Sequence, residues 1–185
     1  MTTASKITLV RVVLIPVYMV LMLLSAGGAE WLRWAAVAVF IIASVSDFLD
    51  GYIARHYNQI TDFGKFVDPL ADKLLVCAAL LLFIQRSEMN SVMVFIILAR
   101  EFIITSLRIV AIGKGRVLAA AWSGKVKTTL QIVGTAAIFL TDILGWPMVV
   151  QTVSGWAMTL ITLYSGFDYM KRNWDIVADG ATSKK

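Results

Sequence analysis

The stretch DFLDGYIARHYNQITDFGKFVDPLAD, residues 47–72, decides how this chain is read. It sets Asp47, Asp50, Asp68 and Asp72 into a sequence that is otherwise largely hydrocarbon and holds only twelve acidic residues in all. A charged side chain inside a membrane segment costs roughly 2.5 to 3.5 kcal/mol on insertion scales, so four of them call for a strong compensating ligand, most simply a divalent cation. Asp47, Asp50, Gly51 and Ala54 fall at i, i+3, i+4 and i+7, which is one face of a helix. Gly64, Asp68 and Asp72 are spaced four apart and share a face as well. A short turn joins the two helices, which makes them antiparallel neighbours. With that turn centred near Ile60, Asp47 lies about as deep as Asp72 and Asp50 about as deep as Asp68, so the four carboxylates converge.

Hard divalent ions favour carboxylate and phosphate oxygens, and one Mg²⁺ commonly takes one or two carboxylates with substrate phosphates completing its shell. Four carboxylates exceed that need, and a pair of metal ions bridged by a diphosphate fits the count. Gly51, Ala54 and Gly64 carry almost no side chain; they either let helices pack closely or clear space for a phosphate-bearing ligand. Arg55 ends the helix, where it either holds a phosphate bidentately or snorkels to the interface. Pro69 leaves two options open: Asp68 caps a helix that starts at Pro69, or the helix starts near Phe63 and tolerates the proline in its early turns. Either option brings a helix N-terminus near the carboxylates, where its partial positive charge favours phosphate.

Outside this stretch, the 185 residues are 59% hydrophobic with mean hydropathy +0.79, well above the roughly 45 to 50% apolar share of soluble domains. An all-α integral membrane protein is expected. Six apolar runs of spanning length lie at about 7–26, 31–54, 66–85, 91–112, 118–141 and 146–170. No repeat or soluble segment interrupts them, so residues 1–185 read as a single membrane domain, with the first run retained rather than removed as a signal peptide. Six helices put both termini on one side. That side gathers most of the lysines and arginines, from Lys6 and Arg11 through Arg55, Lys65 and Lys73 to Lys185; the other holds Arg33 and Arg86, and Arg100 stays within the fourth run. By the positive-inside rule the basic side is cytoplasmic. Both termini and the Asp47–Asp72 turn would therefore face cytosol from a multi-pass protein of the cell membrane. The net charge of +5 forms no continuous stripe, which argues against nucleic acid. The tryptophans read as interfacial anchors, and the single Cys77 as a packed residue.

The pattern Asp47-x2-Asp50-Gly51-x2-Ala54-Arg55-x8-Gly64-x3-Asp68-x3-Asp72 resembles, without gap or substitution, the signature of the CDP-alcohol phosphatidyltransferase family. The resemblance implies a six-helix membrane enzyme and a homodimer. It also implies two divalent cations, Mg²⁺ or Mn²⁺, held by Asp47, Asp50, Asp68 and Asp72, and a CDP-linked lipid that releases CMP. Gly51, Ala54, Arg55 and Gly64 would then contact that lipid, with Thr8 joining them from the first helix. Asp72 would be the general base that deprotonates the acceptor hydroxyl.

Basic residues also gather in the second half: Arg108, Arg116, Lys125 and Lys127, beside a site already rich in cations. An anionic acceptor explains them, with all four as ligands of its phosphate. Glu101 and Arg108, seven apart on one helix face, also fit a structural ion pair, and Asp168 reads as a solvated residue near the interface. The segments Arg100–Arg108 and Gly124–Gln131, and Ile7-Thr8-Leu9-Val10-Arg11 leading to Pro16, resemble the glycerol-phosphate branch of the family. Ala4-Ser5 stands where that pattern has Pro-Asn. The expected reaction is phosphatidyl transfer from CDP-diacylglycerol to glycerol 3-phosphate. Transfer to inositol phosphate, serine or phosphatidylglycerol is the alternative within the family. A divalent-cation transporter is the alternative outside it, and it leaves Gly51, Ala54 and Arg55 unexplained.

Overall fold

The computed structural model describes the backbone of residues 3–56, 62–116, 118–119, 121–176 and 178, and the side chains of these residues except 3–8, 47–56, 62–70, 72 and 142. Its regular structure is all helical among the described residues: α1 (Thr3–Leu24), a 3-10 turn at Ser25–Gly27, α2 (Glu30–His56), α3 (Asp62–Gln85), α4 (Ser91–Gly113), α5 (Trp122–Leu144) and α6 (Met148–Arg172). Each of the six apolar runs becomes one helix. Three starts differ most from the runs, the first being that of α1, which begins at Thr3. α3 begins at Asp62, ahead of its hydrocarbon, and α5 begins only at Trp122, because Ala121 is still extended at φ −72°, ψ 148°.

The helix ends are set locally. The Asn90 side chain accepts a 2.8 Å hydrogen bond from the Val92 N–H and so starts α4. α5 stops where Gly145 turns to φ 64°, a conformation that lets the Trp146 N–H reach the Thr141 carbonyl at 3.0 Å. Pro147 then precedes α6, whose first turn needs no donor from it.

The chain divides into two compact units, Met1–Arg86 and Ser87–Lys185. In the first, α1 packs along α2 and α3, which also touch each other. Ala36, Ala43 and Ala79 are fully buried there, and side chains this small let helix backbones approach closely. The Tyr18 and Phe40 rings meet with centroids 5.6 Å apart and a 50° tilt, fixing α1 against α2 near mid-length.

In the second unit α6 is the central helix and contacts both α5 and α4. Its buried face is made of Gly155, Met158, Thr159, Thr162, Ser165, Gly166 and Tyr169. The buried hydroxyls of Thr159 and Thr162 donate back to the Gly155 and Met158 carbonyls, at 2.8 and 2.6 Å, so no donor is wasted. Its outward face is the apolar one: Val149, Val153, Trp156, Leu160, Leu163 and Phe167 recur at steps of three and four and are all exposed. On α4, Phe95, Phe102 and Ile109 make a similar outward row, one every seven residues. Small and polar inside with large and apolar outside inverts a water-soluble helix, and it suits a hydrocarbon surrounding. Among the described residues one stretch, Leu9–Gly27, is long and apolar enough by itself to cross a membrane.

Close approach of α5 to α6 depends on Gly134, where an added Cβ would stand 2.7 Å from the Met158 sulfur and 2.8 Å from its Cγ. Met158 is 1% exposed and has little room to move. Gly134→Ala is therefore expected to destabilise the protein by about 1 to 3 kcal/mol, the usual range for overpacking. Thermal unfolding in detergent measures it, and an unchanged midpoint would show that this contact is not tight.

Candidate active site

The ends of the three helices in the first unit can be sorted by one cavity. Met22 near the end of α1 and Ala26 in the 3-10 turn after it line it together with Arg33 near the start of α2, Leu82 in the last turn of α3 and Arg86 just beyond that helix. The other three ends therefore lie away from it: the start of α1, the end of α2 and the start of α3. All the signature residues fall there. Asp47, Asp50, Gly51, Ala54 and Arg55 occupy the last turns of α2; Gly64, Asp68 and Asp72 occupy the first turns of α3; Thr8 lies in the second turn of α1. The side chains of these nine residues lie outside the described residues, so the convergence of the carboxylates is carried by helix phase alone. Among the described residues no three His, Cys, Asp or Glu side chains gather as a metal site.

Of the two options left open by Pro69, the second holds. α3 is continuous from Asp62 through Pro69, which keeps Gly64, Asp68 and Asp72 on one helical face at i, i+4 and i+8. The Lys65 carbonyl loses its usual partner because proline has no N–H.

Arg11 belongs to the same end, although its sequence position suggests only a loop charge. It is fully buried on α1 and makes interactions within the protein. Tyr18, seven residues on, shares its face and meets Phe40 of α2; seven residues beyond Phe40 is Asp47. In antiparallel register this places Arg11 at the depth of Asp47. A guanidinium held out of water there adds fixed positive charge beside the carboxylate pattern.

The second unit assembles a separate polar cluster. α4 supplies Arg100 and Glu101, α5 supplies Lys127 and α6 supplies Ser165. The Lys127 ammonium donates to Glu101 Oε1, Arg100 Nη1 donates to the same oxygen at 3.2 Å, and Arg100 Nη2 donates to Ser165 Oγ at 2.7 Å. Gly166 admits the arginine stem, since a Cβ there would stand 3.0 Å from Arg100 Cγ. The side chains of Arg100, Lys127 and Glu101 are only 11%, 7% and 16% exposed. Two cations thus share one carboxylate in a largely buried place, and Arg100 Nε keeps an unused donor among the described residues.

Around this cluster each remaining basic residue has a distinct setting. Arg108 does not pair with Glu101; its Nε donates to the Tyr169 hydroxyl at 3.1 Å and its Cζ lies 5.5 Å from that ring's centroid. Arg116 Nη1 bonds Asp175 Oδ2 at 2.5 Å, which holds the Asp175 carboxyl below its ordinary range. Both are about half exposed, so this pair contributes little to stability. Asp168 is not solvated as expected: it accepts from Ser123 Oγ at 2.6 Å and from Arg172 Nε at 2.7 Å, tying α5 to the end of α6. Lys125 is exposed and forms no ion pair among the described residues.

Residues 1–164 match the family model described as CDP-alcohol phosphatidyltransferase. The chain belongs to this family. Relatives of known name cover nearly all of it. The CDP-diacylglycerol–glycerol-3-phosphate 3-phosphatidyltransferase of Bacillus subtilis (strain 168) is 41% identical over 187 residues, covering 92% of this chain and 94% of its own. Proteins of the same name from Escherichia coli (strain K12) and Rickettsia bellii (strain RML369-C) are 36% and 34% identical, over 170 and 172 residues. Each alignment covers 90% of this chain, with 91% of the former relative and 92% of the latter. The family match runs through both compact units, so the helices that carry the aspartates and those that carry the basic cluster lie within one family sequence.

Proposed function

We propose that this protein transfers the phosphatidyl group of CDP-diacylglycerol to glycerol 3-phosphate, giving phosphatidylglycerol phosphate and CMP. The observation that carries this is the gap-free aspartate signature on the paired ends of α2 and α3, in a chain whose relatives bear that activity in their names. Residues 1–185 act as one catalytic membrane domain with six spans, both termini and the signature end facing cytosol, and the active form is a homodimer. The outward apolar faces of α4 and α6 support a multi-pass arrangement.

Four carboxylates on neighbouring helix ends are an oxygen donor set suited to hard divalent ions. Asp47, Asp50, Asp68 and Asp72 would hold two, Mg²⁺ or Mn²⁺. Held by these residues, such ions would supply Lewis-acid stabilisation of charge on the diphosphate. The chain's own residues do the rest. Gly51, Ala54 and Gly64 leave room for the CDP moiety, and Arg55 and Thr8 contact it. Asp72 takes the proton of the acceptor's primary hydroxyl. That oxygen forms a bond to the phosphorus bearing diacylglycerol, the bond from this phosphorus to the CMP oxygen breaks, and CMP leaves. Arg108, Arg116, Lys125 and Lys127 receive the phosphate of the acceptor. For three of them the ligand competes with a protein partner already in place, Tyr169, Asp175 or Glu101.

CMP release by the purified protein tests the reading, with CDP-diacylglycerol and a panel of glycerol 3-phosphate, inositol phosphate, serine and phosphatidylglycerol. Glycerol 3-phosphate should dominate; preference for another member would reassign the acceptor. Asp50→Ala is expected to raise the Mg²⁺ concentration for half-maximal rate by at least about tenfold, since even the loss of groups that merely support a metal ligand costs that much. An unchanged divalent-ion requirement would remove Asp50 from the metal site.

A further inference from the structure

The end of the first unit away from the signature holds a cavity of about 360 Å³. This is within the roughly 300 to 1,000 Å³ of sites that hold a small molecule. Its walls are divided by chemistry. Met22, Leu23 and Leu82 are apolar, while Arg33, Gln85 and Arg86 bring two positive charges and an amide to the same space. One arginine stands near the start of α2 and the other directly follows α3, and they are the two basic residues that the sequence assigns to this side of the membrane.

Position relative to the bilayer narrows the occupant. The one described stretch that is long and apolar enough to span, Leu9–Gly27, ends at this cavity and contributes Met22, Leu23 and Ala26 to it. Trp31 and Trp34, exposed by 68% and 49%, stand at the same level, as aromatic residues do at a headgroup layer. A hollow with hydrocarbon on one side and guanidinium groups on the other, at the depth of the headgroups, matches the join between a phospholipid's phosphate and its acyl chains. Both arginines already make interactions within the protein. A guanidinium has five N–H donors, so an engaged arginine can still take phosphate oxygens.

We propose that this cavity binds the phosphate headgroup of an anionic phospholipid, in the leaflet opposite the signature end. The site is separate from catalysis. It needs only that this end of α1 lie at a membrane surface, and it stands whichever acceptor the active site uses. A lipid seated here ties the ends of α1, α2 and α3 together and couples the fold of the first unit to the anionic lipid content of the membrane.

The test uses the full-length protein in a neutral detergent, titrated with phosphatidylglycerol, phosphatidylcholine or inorganic phosphate, with bound lipid counted by native mass spectrometry. Phosphatidylglycerol can also enter the signature end, so the readout is the difference between wild type and variants. Wild type should retain one more phosphatidylglycerol than Arg33→Gln/Arg86→Gln, and hold it at least about tenfold more tightly than phosphatidylcholine, a gap of about 1.4 kcal/mol. Ala26→Phe keeps both arginines but fills the hollow, so it should lose the same lipid even if the double variant folds poorly. CMP release in detergent should stay within about twofold for Ala26→Phe, since surface changes remote from the chemistry cost little. Equal lipid retention by all three proteins would overturn the proposal. So would displacement of the extra lipid by inorganic phosphate alone, which would make this a free-anion site.

Discussion

Asp72→Asn is expected to lower CMP release by about 10²- to 10⁴-fold, the range that a positioned general base contributes. The amide keeps the shape of the carboxylate but cannot accept the hydroxyl proton. Three carboxylates remain at Asp47, Asp50 and Asp68, so binding of Mg²⁺ and of CDP-diacylglycerol should survive in large part. The combination is diagnostic. If Asp72 were only a metal ligand, Asp72→Asn and Asp50→Ala would behave alike, each rescued by raising Mg²⁺. If it is the base, saturating Mg²⁺ restores Asp50→Ala and leaves Asp72→Asn inactive. Rate against Mg²⁺ for both variants, with equilibrium binding of the CDP-lipid alongside, makes the distinction, and substantial turnover by Asp72→Asn would end the base assignment.

The helical architecture was legible because an apolar run has few side chains to satisfy its backbone and a helix does so within the run itself, and each of the six runs is one helix. The phase of Asp47, Asp50, Gly51 and Ala54 was legible for the same reason. What spacing alone left open was the status of Pro69; the structure carries α3 back to Asp62, so a helix too polar in its first turns to read as membrane-spanning still continues through the signature. Partner choice was not legible. Glu101 and Arg108 share a face, yet Glu101 is held by Arg100 and by Lys127 from another helix, because three helices meet there and α4 alone does not decide which cation comes nearest. Arg11 was counted with the basic residues of the cytosolic face; only packing places it at 0% exposure beside α2. In each miss the sequence shows the charge, whereas its burial is set by neighbours remote in the chain.

Lys127→Met is expected to destabilise the protein by about 3 kcal/mol, near the lower end of the cost of breaking a buried ion pair, because Arg100 still holds Glu101. Adding Glu101→Gln to it should deepen that loss, because Arg100, only 11% exposed, is then left buried without its carboxylate; thermal unfolding of both single variants and the double variant gives the coupling between the two side chains. A fall in activity of Lys127→Met is therefore ambiguous, because a loosened α4–α5–α6 junction and a lost acceptor ligand both slow turnover. Lys125 removes the ambiguity. It lies two residues away, is exposed, and forms no ion pair among the described residues, so Lys125→Glu should shift stability by less than about 0.5 kcal/mol. If it meets the acceptor's phosphate, reversing its charge should raise the KM for glycerol 3-phosphate by at least about tenfold, the loss of one hydrogen bond to a charged group, with kcat largely kept. An unchanged KM for Lys125→Glu, together with an unchanged KM for Lys127→Met, would assign this basic cluster to the fold and leave the acceptor's phosphate to be held elsewhere.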